Sequence, residues 1–110
     1  MYKTTSNIFV PEIIVKHIVK NYDTEAQPMI CMEELAELQQ AISKHCRKRE
    51  SNLPEEIAHS LISISVLMTI YGIKPSDVEA EIKRKEEKLG IMDPIEKLIW
   101  AEKEDTEIDD

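Results

Sequence analysis

Aromatic residues are scarce in this chain of 110 residues: one Phe, one Trp and three Tyr. Glycine is scarcer still, with two. An all-β sandwich or barrel draws on turn glycines and aromatic strand residues, so that class is disfavoured. Cysteine is limited to Cys31 and Cys46. Both fall in one expected helix, whose rise separates them by ~20 Å or more, beyond disulfide reach. Without a disulfide scaffold, a reduced, cytoplasmic setting is expected. Basic residues are in deficit, 14 against 22 acids, for a formal charge of −8. Wrapping nucleic acid needs clustered Lys and Arg for counterion release, so a nucleic-acid partner is not expected. Residues 1–10 lack the basic start and apolar run of a signal peptide. The most apolar stretch, Ile57–Ile73, has 17 residues and contains His59, Ser60, Ser63, Ser65 and Thr69. A spanning helix needs ~20 apolar residues, so this stretch reads as a core helix and no membrane partner is expected.

What remains is a highly charged, helical pattern. Residues 1–9 form a polar lead. Pro11 suits a first helical turn, and Ile14, Val15, Ile18 and Val19 follow at helical spacing, which predicts a helix over 11–21. Asn21-Tyr22-Asp23-Thr24 supplies a connector with capping residues. A second helix is predicted over 26–49, with Ile30, Leu35, Leu38, Ile42 and Cys46 as its apolar stripe. Ser51 or Asn52 caps a third helix over 54–71, with Pro54, Glu55 and Glu56 in its first turn. That helix is apolar nearly all round, so it should be buried on most sides. A domain this small can hardly surround it alone, which predicts a homodimer or homotetramer. Gly72 caps it. A fourth helix over 75–89 turns Val78, Ile82 and Leu89 inward and stops at Gly90. A short helix over 94–102 carries Leu98, Ile99 and Trp100. The expected organisation is one all-α domain over 1–101, a four-helix core with a short C-terminal helix, and an acidic tail over 102–110.

Two acidic clusters stand on successive helices: Glu33-Glu34-Leu35-Ala36-Glu37 and Glu55-Glu56-Ile57-Ala58-His59. Residues three apart share a helix face, so Glu34 pairs with Glu37 and Glu56 with His59. Antiparallel packing of the two helices brings all four to one point. Carboxylates at close range repel, and burial sharpens the repulsion, so the arrangement calls for a cation. A hard divalent ion such as Mg²⁺ takes oxygen ligands and keeps positions open for substrate phosphates. Glu is also a good helix former, and surface helices are rich in it. The apolar neighbours Ile57, Leu61, Ile64 and Met68 set the second cluster apart, because carboxylates bordering a core need partners.

Glu33-Glu34-Leu35-Ala36-Glu37, an 18-residue spacer and Glu56-Ile57-Ala58-His59 resemble the motifs of the MazG-like all-α nucleotide pyrophosphohydrolases, the superfamily that includes the dimeric dUTPases. Its pattern is Glu-Glu-x-x-Glu followed by Glu-x-x-Asp. The similarity spans residues 8–90 and includes the apolar helix, Tyr71-Gly72-Ile73 and the Lys-rich fourth helix. The resemblance implies a four-helix core and hydrolysis of a nucleoside triphosphate to the monophosphate and pyrophosphate. It implies Glu34, Glu37 and Glu56 as metal ligands, Glu33 as a carboxylate that supports catalysis by activating water, and Lys83 and Lys85 as phosphate-binding residues. His59 stands where the family has Asp. It offers one neutral nitrogen in place of an anionic oxygen. Mg²⁺ affinity should fall, while Mn²⁺, Fe²⁺ or Zn²⁺ tolerates imidazole better.

Other features have simpler readings. Lys44-His45-Cys46-Arg47-Lys48-Arg49 ends the second helix, where positive charge offsets the dipole, with a phosphate or RNA contact as the lesser alternative. Lys83, Arg84, Lys85 and Lys88 do the same on the fourth. Met29 and Met32 are expected in the core, and His17 and His45 on the surface. Two alternatives to the enzyme stand beside it. One is a helical oligomer with a degenerate site, acting as a regulatory or interaction protein. The other is a di-iron bundle, because Glu56-x-x-His59 is also the signature of that class.

Overall fold

Helical periodicity becomes four α-helices in the computed structural model, which describes residues 10–90 and Ile95. They are α1 (Glu12–Asn21), α2 (Gln27–Cys46), α3 (Leu53–Tyr71) and α4 (Pro75–Lys88). No strand occurs among the described residues. Each helix lies within three residues of its expected bounds at either end. The short helix expected over 94–102, with Trp100, and the acidic tail lie outside the described residues, Ile95 apart. The chain divides into two units, Met1–Ile73 and Lys74–Asp110.

In the first unit α3 packs against both α2 and α1. The connection from Cys46 to Leu53 is short, so α2 and α3 run antiparallel. Their seam is built from small side chains. Cys31 and Ala41 of α2 and Ser60 and Val66 of α3 are buried. Ser60 donates its hydroxyl to the Glu34 carbonyl at 3.3 Å, fixing the level at which the helices meet. Gln27 is also buried and donates its amide to the Asp23 carbonyl at 3.2 Å. From α1, Val15 is buried and Ile18 and Val19 are half-buried.

The α2 seam differs from the expected one. Ile30, Leu35, Ile42 and Cys46 are exposed, as are Met29 and Met32. The positions facing α3 are Gln27, Cys31, Glu34, Leu38 and Ala41, each three or four residues from the next. Only Leu38 belongs to the expected stripe. Small residues let helix axes approach closely, and bulky residues one position along then fall outside the contact. As expected of a domain this small, α3 is not fully surrounded within one chain. Ile57, Ile64 and Tyr71 are exposed at seven-residue intervals, leaving one uncovered stripe. Among the described residues, Leu53–Tyr71 is long and apolar enough to cross a membrane by length and composition. In the second unit Val78, Ile82 and Leu89, expected inward, are exposed. The described part of that unit is essentially one helix.

Two helix ends use the same device. After α3, Gly72 takes φ 66°, its N–H bonds Thr69 O at 3.3 Å, and the Ile73 N–H bonds Met68 O at 2.9 Å. After α2, Lys48 takes φ 57°, its N–H bonds His45 O at 3.0 Å, and the Arg49 N–H bonds Lys44 O at 2.8 Å. Both are Schellman closures that satisfy orphan carbonyls. Glycine adopts this left-handed backbone at little cost, whereas a side chain at Lys48 is strained there. Lys48→Gly should therefore stabilise the fold by ~0.5–1 kcal/mol, and Gly72→Ala should destabilise it by ~1 kcal/mol. Urea denaturation of the two variants reads both signs. Equal shifts in the same direction would contradict the assignment.

Candidate metal centre

The site forms where the α2–α3 seam meets the first turns of α3. Asn52 occupies the N-cap position and Pro54 follows in the first turn. The expected capping bond is absent. The Asn52 amide instead donates to the Glu55 carboxylate. Glu55 and Glu56 lie in the first turn, where the positive end of the helix dipole favours acids. One turn on, His59 lies beneath Glu56 and beside Glu55.

Antiparallel packing brings Glu34 to this turn. One ligand atom each from Glu34, Glu56 and His59 lie within 4.8 Å of one another. His59 Nδ1 is 3.4 Å from Glu34 Oε2, and His59 Nε2 is 3.8 Å from Glu55 Oε1. One carboxylate oxygen of Glu34 and one of Glu56 are buried without a hydrogen-bond partner. The Glu34 atom is the one that faces His59 Nδ1, so of the two only the Glu56 oxygen is left without a hydrogen-bond or ion-pair partner among the described residues. Buried polar atoms ordinarily have partners, and acceptors crowded in this way suit a positive charge.

The charges respond accordingly. The Glu56 carboxyl is raised above its ordinary value, first by burial and then by the Glu37 carboxylate. His59 opposes the rise, while Glu34 and Glu55 add to it. Beneath the cluster, burial and then Glu34 push the Cys31 thiol up. Cys31 is therefore an inert, protonated packing residue, and Cys46 is the exposed thiol.

Three of the four expected ligands, Glu34, Glu56 and His59, come together. Glu37 does not join that group of atoms. It acts on the charge of Glu56 and lines a pocket with it. Glu33 is exposed on α2. Lys83 and Lys85 lie in the second unit. Sequence reasoning missed two relationships. Glu55 was visible as an acid but not as the partner of His59. Lys44 lines the pocket with Glu37 and Ala41, a grouping that their three- and four-residue spacing could have signalled.

Two carboxylate oxygens and one imidazole nitrogen are grouped closely enough to hold a metal ion. The mixed donors suit Mn²⁺, Fe²⁺ or Zn²⁺ better than Mg²⁺. No protein-family description matches the chain, and no characterised protein or solved structure is significantly similar to it.

Because folding raises the Glu56 pKa, the folded state holds that proton more tightly. The resulting stabilisation is complete below the unfolded pKa and is lost as pH rises through the folded one. In metal-free buffer Glu56→Gln should therefore be more stable than the parent at neutral pH, with the difference shrinking in acid. Urea titrations at the two pH values test this. A variant no more stable at neutral pH would refute the crowding of charge at Glu56.

Proposed function

We propose that the chain is a metal-dependent nucleoside triphosphate pyrophosphohydrolase related to the MazG-type all-α enzymes, acting as a homodimer or homotetramer. The observation that carries this reading is the cluster of Glu34, Glu56 and His59, in which a buried Glu56 oxygen has no hydrogen-bond partner and a buried Glu34 oxygen has only the His59 ring beside it. Glu34 and Glu56 hold a divalent cation through oxygen, and His59 completes the set through nitrogen. When bound, such an ion supplies polarisation of a phosphoryl oxygen and lowers the pKa of coordinated water. Glu37, beside Glu56, is the carboxylate left to accept the proton of an attacking water. Glu33, exposed and outside the cluster, is not in this ligand set. Lys83 and Lys85 enter as phosphate-binding residues by resemblance alone.

The uncovered stripes support self-assembly. Ile57, Ile64 and Tyr71 of α3 and Leu35 and Ile42 of α2 are exposed at seven-residue spacing. That is the spacing of a helix-bundle seam. Both stripes lie one helical position beyond the α2–α3 contact, on the same flank of an antiparallel hairpin. A second copy covers them by forming a bundle. Sedimentation velocity should show a dimer or tetramer, and Ile64→Lys should shift it toward monomer. A monomeric parent with α3 buried only in detergent or lipid would favour membrane association instead.

A second reading is favoured by the distances around His59. On it, the His59 ring between Glu34 and Glu55 serves the carboxylates as a polar partner in place of a metal, leaving a helical oligomer with a degenerate site. Metal titration separates the two. On the enzyme reading, Mn²⁺ at ~100 times its Kd stabilises the fold by ~2.7 kcal/mol, a rise of ~10 °C in Tm. Glu56→Gln should abolish this rise and retain the helical circular dichroism. Pyrophosphate release from a nucleotide panel then tests catalysis, and His59→Asp should be faster than the parent with Mg²⁺. No turnover by either form with Mg²⁺ or Mn²⁺ would overturn the enzyme reading.

A further inference from the structure

We propose that the pocket next to the carboxylate cluster is an anion subsite, in which Lys44 holds a phosphate of the metal-bound ligand. This deepens the reading above and rests on it.

The pocket has a volume of about 760 Å³, within the range typical of small-molecule sites. It lies entirely in the first unit, between the C-terminal half of α2, the α2–α3 connection and the start of α3. Glu56 belongs both to the cluster and to the pocket wall, and Glu37, which acts on its charge, lines the pocket beside it. Lys44, Gln40, Ser51 and Asn52 also line it and supply hydrogen-bond donors. Glu50 completes the lining. A bare anion is repelled by Glu37, Glu50 and Glu56. A bare cation at the cluster leaves Lys44 unused. A phosphate that arrives with its own divalent ion satisfies both, with the ion toward Glu56 and the anion toward Lys44.

The connection adds to the positive side. Lys48 and Arg49 follow within five residues of Lys44. Arg47 is already engaged, its guanidinium donating to the Ser43 hydroxyl at 2.7 Å. Dipole compensation explains why bases gather at this helix end. It does not explain why Lys44 shares a pocket with Glu56 of the cluster and with Glu37, which acts on the charge of Glu56. Spacing does: Lys44 is seven residues, or two turns, after Glu37, on the same face.

The test uses the full chain, Mn²⁺ and inorganic pyrophosphate. Mn²⁺ affinity is measured by calorimetry, and pyrophosphate affinity by calorimetry with and without saturating Mn²⁺. Lys44→Gln should keep the parent's Mn²⁺ affinity or tighten it, and weaken pyrophosphate by about 10-fold or more. Lys44→Arg should retain most of the affinity. Lys20→Gln, on α1, should change neither and so controls for general loss of charge. Pyrophosphate binding to Lys44→Gln at the parent's affinity would overturn the subsite and leave the metal reading standing. So would equal losses for Lys44→Gln and Lys20→Gln, or binding that is indifferent to Mn²⁺. A parent that binds no Mn²⁺ would overturn the metal reading and the subsite with it.

Discussion

The close approach of α2 and α3 governs everything else in the first unit. It depends on small buried side chains, Cys31 and Ala41 against Ser60 and Val66, and on the Ser60 hydroxyl that meets the Glu34 carbonyl. The contact sets the level of Glu34 against the first turns of α3, where Glu56 and His59 stand. A larger residue at Ala41 or Ser60 would push the axes apart. The carboxylates would then separate and regain water. The price of the tight seam is that bulky apolar residues are left on the outer flank.

That displacement explains what could be read from the sequence and what could not. The four helices and their ends were legible, because Pro54, Pro75, Gly72 and Gly90 mark boundaries through backbone chemistry. The pairing of Glu34 with Glu56 and His59 was legible too, since it needs only helical spacing and an antiparallel turn. The seam itself was not. Apolar periodicity points to the largest residues, and here the contact is made by Cys31, Ala41 and Ser60, which carry weak hydrophobic signals. Glu37 was misplaced for a related reason. Spacing puts it on the same face as Glu34, but one turn along the helix is enough to move it from the cluster to the pocket wall.

His59 ties the electrostatics together. Its two ring nitrogens face different carboxylates, Glu34 across the seam and Glu55 on its own helix. An aspartate here would add a further negative charge to a group that already holds Glu56 in its protonated form more readily. Histidine lowers the charge demand of the site and narrows the range of ions that suit it.

The span of chain that builds the cluster also bears on how the fold assembles. Glu34 and His59 bracket a single hairpin, with only 24 residues between them. Loop-closure entropy grows only slowly with length, so closing a segment of this size carries a modest cost. The hairpin can bring its acids together from within its own span of chain. An ion gripped by its two arms would act as a staple on a nascent structure, coupling ligand availability to the yield of folded chains.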